Sequence, residues 1–204
     1  MGRPAPIEWG VASRPKPGEM QSGDRHIVIP YDGGVLMAAV DALGHGDEAA
    51  ESAAIAETAL RDCPSDSVIS QVKYSQAALR GKRGVVMSLA KYESHSRVLS
   101  WLGVGNVETI LFRPAAPSIA PKIRLVTRGG VVGSSLPELR AEVVDVSNGG
   151  LLLFATDGIE SSFGDAAEMD LRPPQVIATD VLKRYAKASD DALVLAVRLG
   201  APVA

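Results

Sequence analysis

The chain carries one cysteine, Cys63, in 204 residues, so no internal disulfide can form. That usage suits a reducing compartment. With only three histidines and no clustered Cys/His set, a zinc site is not expected. Aromatic residues make up 4%, which leaves an aliphatic core and no platform for stacking nucleic-acid bases. A surplus of basic charge is missing too: 21 Lys and Arg stand against 24 Asp and Glu, for a net charge of -3. That balance, with no basic run, gives no reason to expect nucleic acid or an anionic membrane as partner. Long apolar runs are absent. The most apolar stretches, Val35 to Val40 and Leu151 to Ala155, fall far short of the ~20 residues that cross a bilayer. The first residues, Met1 to Pro6, lack the apolar core of a signal peptide. A soluble, cytoplasmic protein is expected. No repeat, low-complexity linker or coiled-coil heptad interrupts residues 1–204, so one domain and a monomer are expected.

What is present is a long series of apolar segments of strand length. Ile7 to Ala12 reads as a first strand. His26 to Pro30 and Val35 to Val40 flank Tyr31-Asp32-Gly33-Gly34, two apolar runs around an Asp-Gly turn, which predicts a hairpin. The second run is apolar on both faces and should be a covered, central strand. Asp47 to Arg61 and about Asp66 to Leu79 have helical spacing and form an expected helix pair on one face of a sheet. Strands follow at Gly84 to Tyr92, Val98 to Val104, Val107 to Arg113 and Ile123 to Thr127, with a proline loop over Pro114 to Pro121. Glu142 to Val146 and Leu151 to Ala155 read as a hairpin around Asn148-Gly149-Gly150. A helix over about Pro174 to Ala186 and a strand over Ala192 to Leu199 close the chain. This order predicts an α+β fold, two packed antiparallel sheets with helices outside.

The aspartates fall at strand ends. Asp41 follows Val35 to Val40, Asp157 lies two residues past Leu151 to Ala155, and Asp190 and Asp191 precede Ala192 to Val197. Asp24 precedes His26 to Pro30. A carboxylate at the rim of an apolar core is costly unless paired or bound to a cation. Apart from Arg25, basic neighbours are scarce, and carboxylates without basic partners suit a hard divalent ion, Mg²⁺ or Mn²⁺. Aspartate also caps and turns strands for purely structural reasons.

Six segments in order carry a resemblance. Asp41-Ala42-Leu43-Gly44-His45-Gly46 resembles the Asp-Gly-x-Gly-His-Gly motif of PPM (type 2C) phosphatases, in the branch that includes the sporulation phosphatase SpoIIE. Ser22-Gly23-Asp24, Ala155-Thr156-Asp157-Gly158-Ile159 and Ser189-Asp190-Asp191-Ala192-Leu193 resemble that branch's first, Thr-Asp-Gly and last motifs. Gly103-Val104-Gly105-Asn106 and Gly129-Gly130-Val131-Val132-Gly133 also occur in the family's order, and the match runs from about Ser22 to Val197.

The resemblance implies a PPM-type αββα sandwich and a metal-dependent serine/threonine phosphatase. Its compact form is similar to stand-alone phosphatases acting on stressosome proteins, so phosphorylated stress-signalling scaffold or antagonist proteins are the implied partners. Two metal ions are implied, sharing Asp41, with the backbone carbonyl of Ala42 and the carboxylates of Asp157 and Asp190 as further ligands. Asp24 matches an acidic position that binds metal or its water. Asp191 is either the orienting neighbour of Asp190 or itself the ligand. His45 is a candidate general acid or a filler of the helix N-terminal turn. Asn106 is a turn residue or a hydrogen-bond donor to a carboxylate. His26, His95 and Cys63 read as structural.

Four positions depart from the pattern. Ala42 replaces a glycine and would be strained at positive φ. Leu193 replaces a Thr or Ser whose hydroxyl could bond the aspartates. Gly23 stands where eukaryotic relatives have a metal-binding glutamate, which weakens the second metal site. Glu19 falls near the place of their phosphate-binding arginine, and Arg25 is either a substitute for it or, the better reading, an ordinary surface arginine. The departures at Ala42 and Leu193 motivate a rival reading, a binding module that has lost turnover. A nuclease or phosphodiesterase is a second rival, disfavoured by the acidic balance.

Overall fold

The computed structural model describes residues 7–114, 120–166 and 171–200. Among these residues ten strands form two sheets. The first sheet holds β1 (Ile7–Arg14), β6 (Glu108–Phe112), β7 (Lys122–Arg124), β9 (Gly150–Ala155) and β10 (Ala192–Leu199), in the order β1-β10-β9-β6-β7. The second holds β2 (Asp24–Tyr31), β3 (Gly34–Ala42), β4 (Val85–Glu93), β5 (Val98–Val104) and β8 (Glu142–Asp145), in the order β2-β3-β4-β5-β8. Every neighbouring pair is antiparallel.

Period-two alternation sorts the strand residues into layers. In β3, Val35, Met37 and Ala39 point between the sheets, where they meet Trp101, Leu152, Phe154 and Leu195. Leu36, Ala38, Val40 and Ala42 point outward, beneath α1 (Asp47–Asp62) and α2 (Val68–Ala78). Both faces of β3 are therefore covered, as its unbroken apolar run requires. In the other sheet, Leu193, Leu195 and Val197 face inward, while Val194 and Ala196 pack with Ile177 and Ala178 of α4 (Pro174–Tyr185). Two helical layers thus enclose two sheets.

Helix α1 is alanine-rich, which favours helix and permits close approach to the sheet. Ala49, Ala53, Ala56 and Leu60 form its buried stripe. Gly46 stands at its N-cap without a side-chain cap bond, and Asp47 and Glu48 supply the negative charge that the helix N-terminus favours. Helix α2 starts later than the sequence spacing suggests because Ser67 caps it, accepting the Ser70 N–H at 3.1 Å.

The structure corrects one strand pairing. Glu142 to Val146 and Leu151 to Ala155 do not form a hairpin: β8 pairs with β5 in one sheet, and β9 pairs with β10 and β6 in the other. The Asn148-Gly149 turn carries the chain between sheets. β9 is buried along its whole length, so it needs two strand neighbours, and β6 and β10 supply them. The strand expected at Ile123 to Thr127 is three residues long and ends at Arg124. A short helix, α3 (Phe163–Ala166), was not anticipated. The proline loop over Pro114 to Pro121 lies mostly outside the described residues, as does Met1 to Pro6. No helix among the described residues is long and apolar enough to cross a membrane.

Candidate metal centre

Antiparallel order brings the end of β3, the start of β2, the end of β9 and the start of β10 to one end of the sandwich. All five candidate aspartates sit there. Asp41, Asp157 and Asp190 line one cavity of 160 Å³, together with Ala42, Leu43, Gly44, His45, Val86, Asn106 and Lys16. Asp41 continues the row of β3 residues that points between the sheets, so its carboxylate emerges where that layer opens. A larger cavity of 690 Å³ lies between α1 and α2. Its walls are mainly apolar, including Ala54, Ile55, Ala77 and Ala78, so volume alone does not mark the chemistry.

Asp24 and Asp191 are not on the cavity wall. Asp24 is buried directly across the β2–β3 ladder from Asp41. Its carboxylate accepts a hydrogen bond from the Thr156 hydroxyl at 2.7 Å, and that hydroxyl accepts the Leu193 N–H at 2.9 Å. Asp191 is also buried, and each of its oxygens accepts a backbone N–H at 2.7 Å, from Lys16 and from Gly23. The open choice between Asp190 and Asp191 thereby acquires a geometry: Asp190 faces the cavity, and Asp191 ties β10 to the loop between β1 and β2.

Burial and mutual repulsion act on the inner pair. Desolvation is the main cause that raises Asp41 to about 9, with Asp24, Asp157, Asp190 and Asp191 adding repulsion. Asp24 rises to about 7, chiefly through burial, although its bond from Thr156 opposes the change and the other aspartates reinforce it. Among the described residues none of the five forms an ion pair with Lys or Arg. No three His, Cys, Asp or Glu side chains among the described residues are already gathered to hold an ion. Asp41, Asp157 and Asp190 face a shared space, and Asp24 and Asp191 lie behind it in the bonds just named. The donor chemistry fits a hard divalent cation: the groups are oxygen ligands, and their joint ionisation is unfavourable without positive charge.

Close backbone approach builds the floor. A Cβ at Gly158 would lie 1.7 Å from the carbonyl oxygen of Asp191, so only glycine lets the β9 exit lie against the β10 entrance. Asn106, on the turn between β5 and β6, donates to Asp157 Oδ2 at 2.9 Å, which settles its two readings in favour of a carboxylate partner. His45 Nδ1 lies 2.6 Å from Glu19 Oε1. Ala42 is free of strain, since Arg97 is the only non-glycine at positive φ among the described residues. Arg25 lies opposite Val40, whose side chain faces α1 and α2, and so falls on the sheet face away from Asp41. His26 packs 5.6 Å from Trp9, ring centre to ring centre, and burial lowers its pKa. Cys63 is exposed at the end of α1.

Thr156 lies within the Thr-Asp-Gly motif, and Lys16 lies in none of the six segments. Lys16 carries no local signal, because its partner Asp191 is far away in the chain, and the motif around Thr156 does not reveal its bond to Asp24.

An αββα sandwich opening onto clustered aspartates at one end is the architecture of the PPM, or type 2C, metal-dependent phosphatases. The family model for Stage II sporulation protein E (SpoIIE) matches residues 31–200, and the chain belongs to that family. It is 26% identical over 144 residues to the phosphoserine phosphatase RsbX of Bacillus subtilis (strain 168), covering 71% of this chain and 70% of that protein. A solved structure of RsbX in complex with magnesium is similar with a TM-score of 0.81 at 22% identity, over 98% of this chain and all of that one. A chain solved in work on the bacterial stressosome as a modular system adapted to secondary messenger signalling has a TM-score of 0.85 at 24% identity, over 94% of this chain and 99% of that one. At these identities the two structures speak for the fold.

Proposed function

We propose that the chain hydrolyses phosphoserine or phosphothreonine on a partner protein of bacterial stress signalling, with two Mg²⁺ or Mn²⁺ ions held by Asp41, the Ala42 carbonyl, Asp157 and Asp190. The observation that carries this reading is the single cavity lined by those four residues. The similarity to RsbX, a phosphoserine phosphatase, and to a chain from stressosome work supports the choice of substrate class.

Bound divalent ions supply Lewis acidity that activates water and neutralises phosphoryl oxygens. The chain's own groups do the rest. Asp41, Asp157 and Asp190 are the cation-facing carboxylates, and the Asn106 amide orients Asp157. Asp24 and Thr156 back Asp41 from inside, and Asp191 locks the loop that carries Lys16. His45 donates a proton to the departing serine or threonine oxygen. A proton on its Nδ1 is held by Glu19, which leaves Nε2 for the substrate.

The departures that motivated a binding module carry less weight in the fold. Ala42 is unstrained, and Thr156 supplies the hydroxyl that Leu193 lacks. One domain, acting as a monomer in a reducing cytoplasm, completes the proposal, and light scattering on the purified protein tests its oligomeric state. Phosphate release from a phosphoserine peptide and from p-nitrophenyl phosphate, with Mn²⁺, Mg²⁺ or chelator, tests the activity. Metal-dependent release that falls about a thousandfold in Asp41→Asn is expected, in the range set by loss of a principal electrostatic group. No metal-dependent release from either substrate would overturn it.

A further inference from the structure

We infer that Arg14, Lys16 and Lys187 form a cationic shelf on one rim of the aspartate cavity, and that this shelf binds acidic residues flanking the phosphoserine of the partner protein. The inference rests on the phosphatase reading and adds the chemistry of the partner.

Arg14 and Lys187 are in contact, and Lys16 and Lys187 both reach the cavity wall. Lys16 lines the cavity, and its backbone N–H is pinned to Asp191 Oδ1 at 2.7 Å. Lys187 reaches the cavity wall through Nζ, which donates to the carbonyl oxygen of Asp157 at 2.6 Å. The Arg14 guanidinium donates to the carbonyl oxygen of Lys187. The Arg14 and Lys187 side chains donate to neutral carbonyls, and among the described residues none of the three side chains meets a carboxylate in an ion pair.

Two other charged groups near the cavity are already paired. Arg83 reaches the Leu43 carbonyl at 3.5 Å but pairs with Glu48 at 2.6 Å. Glu19 is engaged by His45 at 2.6 Å. Arg14, Lys16 and Lys187 thus stand without an ion-pair partner among the described residues where β1 ends and β10 begins, beside the cavity that Asp157 and Asp190 line. Cationic side chains that form no ion pair remain available to an anionic partner.

Geometry says which anion. A phosphoseryl group in the cavity places its neighbours within about 3.3–3.6 Å of chain per residue, so adjacent side chains fall on the rim. The Arg14 fork suits a carboxylate, and the lysines act as point charges. A neutral stretch gains nothing there. The shelf therefore favours phosphoserine set among Asp and Glu.

The test uses two phosphoserine peptides, one with acidic and one with neutral neighbours, and p-nitrophenyl phosphate, all with Mn²⁺-loaded protein. Fluorescence anisotropy reads peptide binding and phosphate release reads kcat/KM. The acidic peptide is expected to bind more tightly and to show the higher kcat/KM, through KM, with the advantage shrinking as salt screens it. Lys16→Gln, and Arg14→Gln with Lys187→Gln, should each lower the acidic-to-neutral ratio by about threefold per cation removed, the scale of an exposed ion pair. Lys16→Arg should restore it. The neutral peptide is the internal control for folding. Equal binding and equal kcat/KM for the two peptides in the unaltered protein, or a preference that survives loss of all three cations, would sink the shelf. Absence of p-nitrophenyl phosphate hydrolysis in the unaltered protein speaks instead against the phosphatase reading, while the anisotropy arm still judges the shelf.

Discussion

Asp24 and Asp41 stand directly opposite one another on β2 and β3, and the Thr156 hydroxyl donates to Asp24. Two carboxyl groups in this position resist joint ionisation. The sequence placed each at the end of a separate strand. The ladder makes them neighbours.

That relationship makes stability depend on pH in a definite direction. Asp41 is raised to about 9 and Asp24 to about 7, from 3.8. Between 3.8 and those values the folded chain binds more protons than the unfolded one, so these groups make stability fall as pH rises. In chelator, the melting temperature should decline from pH 5 to pH 8, and Asp41→Asn should melt about 3 °C or more higher than the unaltered protein at pH 8. Mg²⁺ or Mn²⁺ should flatten the decline by binding the ionised form. Thermal melts over that range check this, and an Asp41→Asn variant no more stable at pH 8 than the unaltered chain would contradict it.

Asp190 and Asp191 should separate cleanly. Asp190→Asn should weaken metal binding and turnover with little change in melting temperature, because its side chain faces the cavity. Asp191→Asn disturbs two buried N–H partners, and a loss of about 1–3 kcal/mol is expected. Calorimetric titration of Mn²⁺ beside thermal melts distinguishes them. A destabilised Asp190→Asn with an unaffected Asp191→Asn would reverse the assignment.

Gly158→Ala should damage stability and activity together. The added carbon would overlap the Asp191 carbonyl at 1.7 Å, and backbone must move to admit it. Overpacking of this kind costs about 1–3 kcal/mol and would displace the Asp190 strand entrance. Urea unfolding and Mn²⁺-dependent phosphate release measure the two effects.

Thr156→Val should be costlier than Thr156→Ser. The hydroxyl donates to Asp24 and accepts from Leu193 N–H, so valine strands two buried groups, at about 1–3 kcal/mol each. Serine keeps the oxygen and should retain most stability and turnover. Equal melting temperatures for the two variants would show that the hydroxyl is dispensable. Leu193→Thr should bring no gain, because Leu193 packs between the sheets.

Much of the architecture was legible because the chain's periodicities are strong. The apolar run of β3 announces a strand covered on both faces, and the alanine stripe of α1 announces a helix on a sheet. The pairing of β8 and β9 was not legible. An Asn-Gly-Gly turn between apolar runs reads locally as a hairpin, yet full burial of β9 draws it between β6 and β10. Arg25 likewise looked available beside Asp24, but strand alternation turns it to the other face of the sheet.

By itself the sequence determined the order of elements, the aliphatic core, and the acidic residues at strand ends, because these follow from local pattern and composition. Only the tertiary structure decided which aspartates face the cavity and which serve as braces. Lys16 meets Asp191 across 175 positions, and Thr156 meets Asp24 across 132. Such bonds are set by how two sheets stack and where their edges meet, and no short-range pattern encodes that distance.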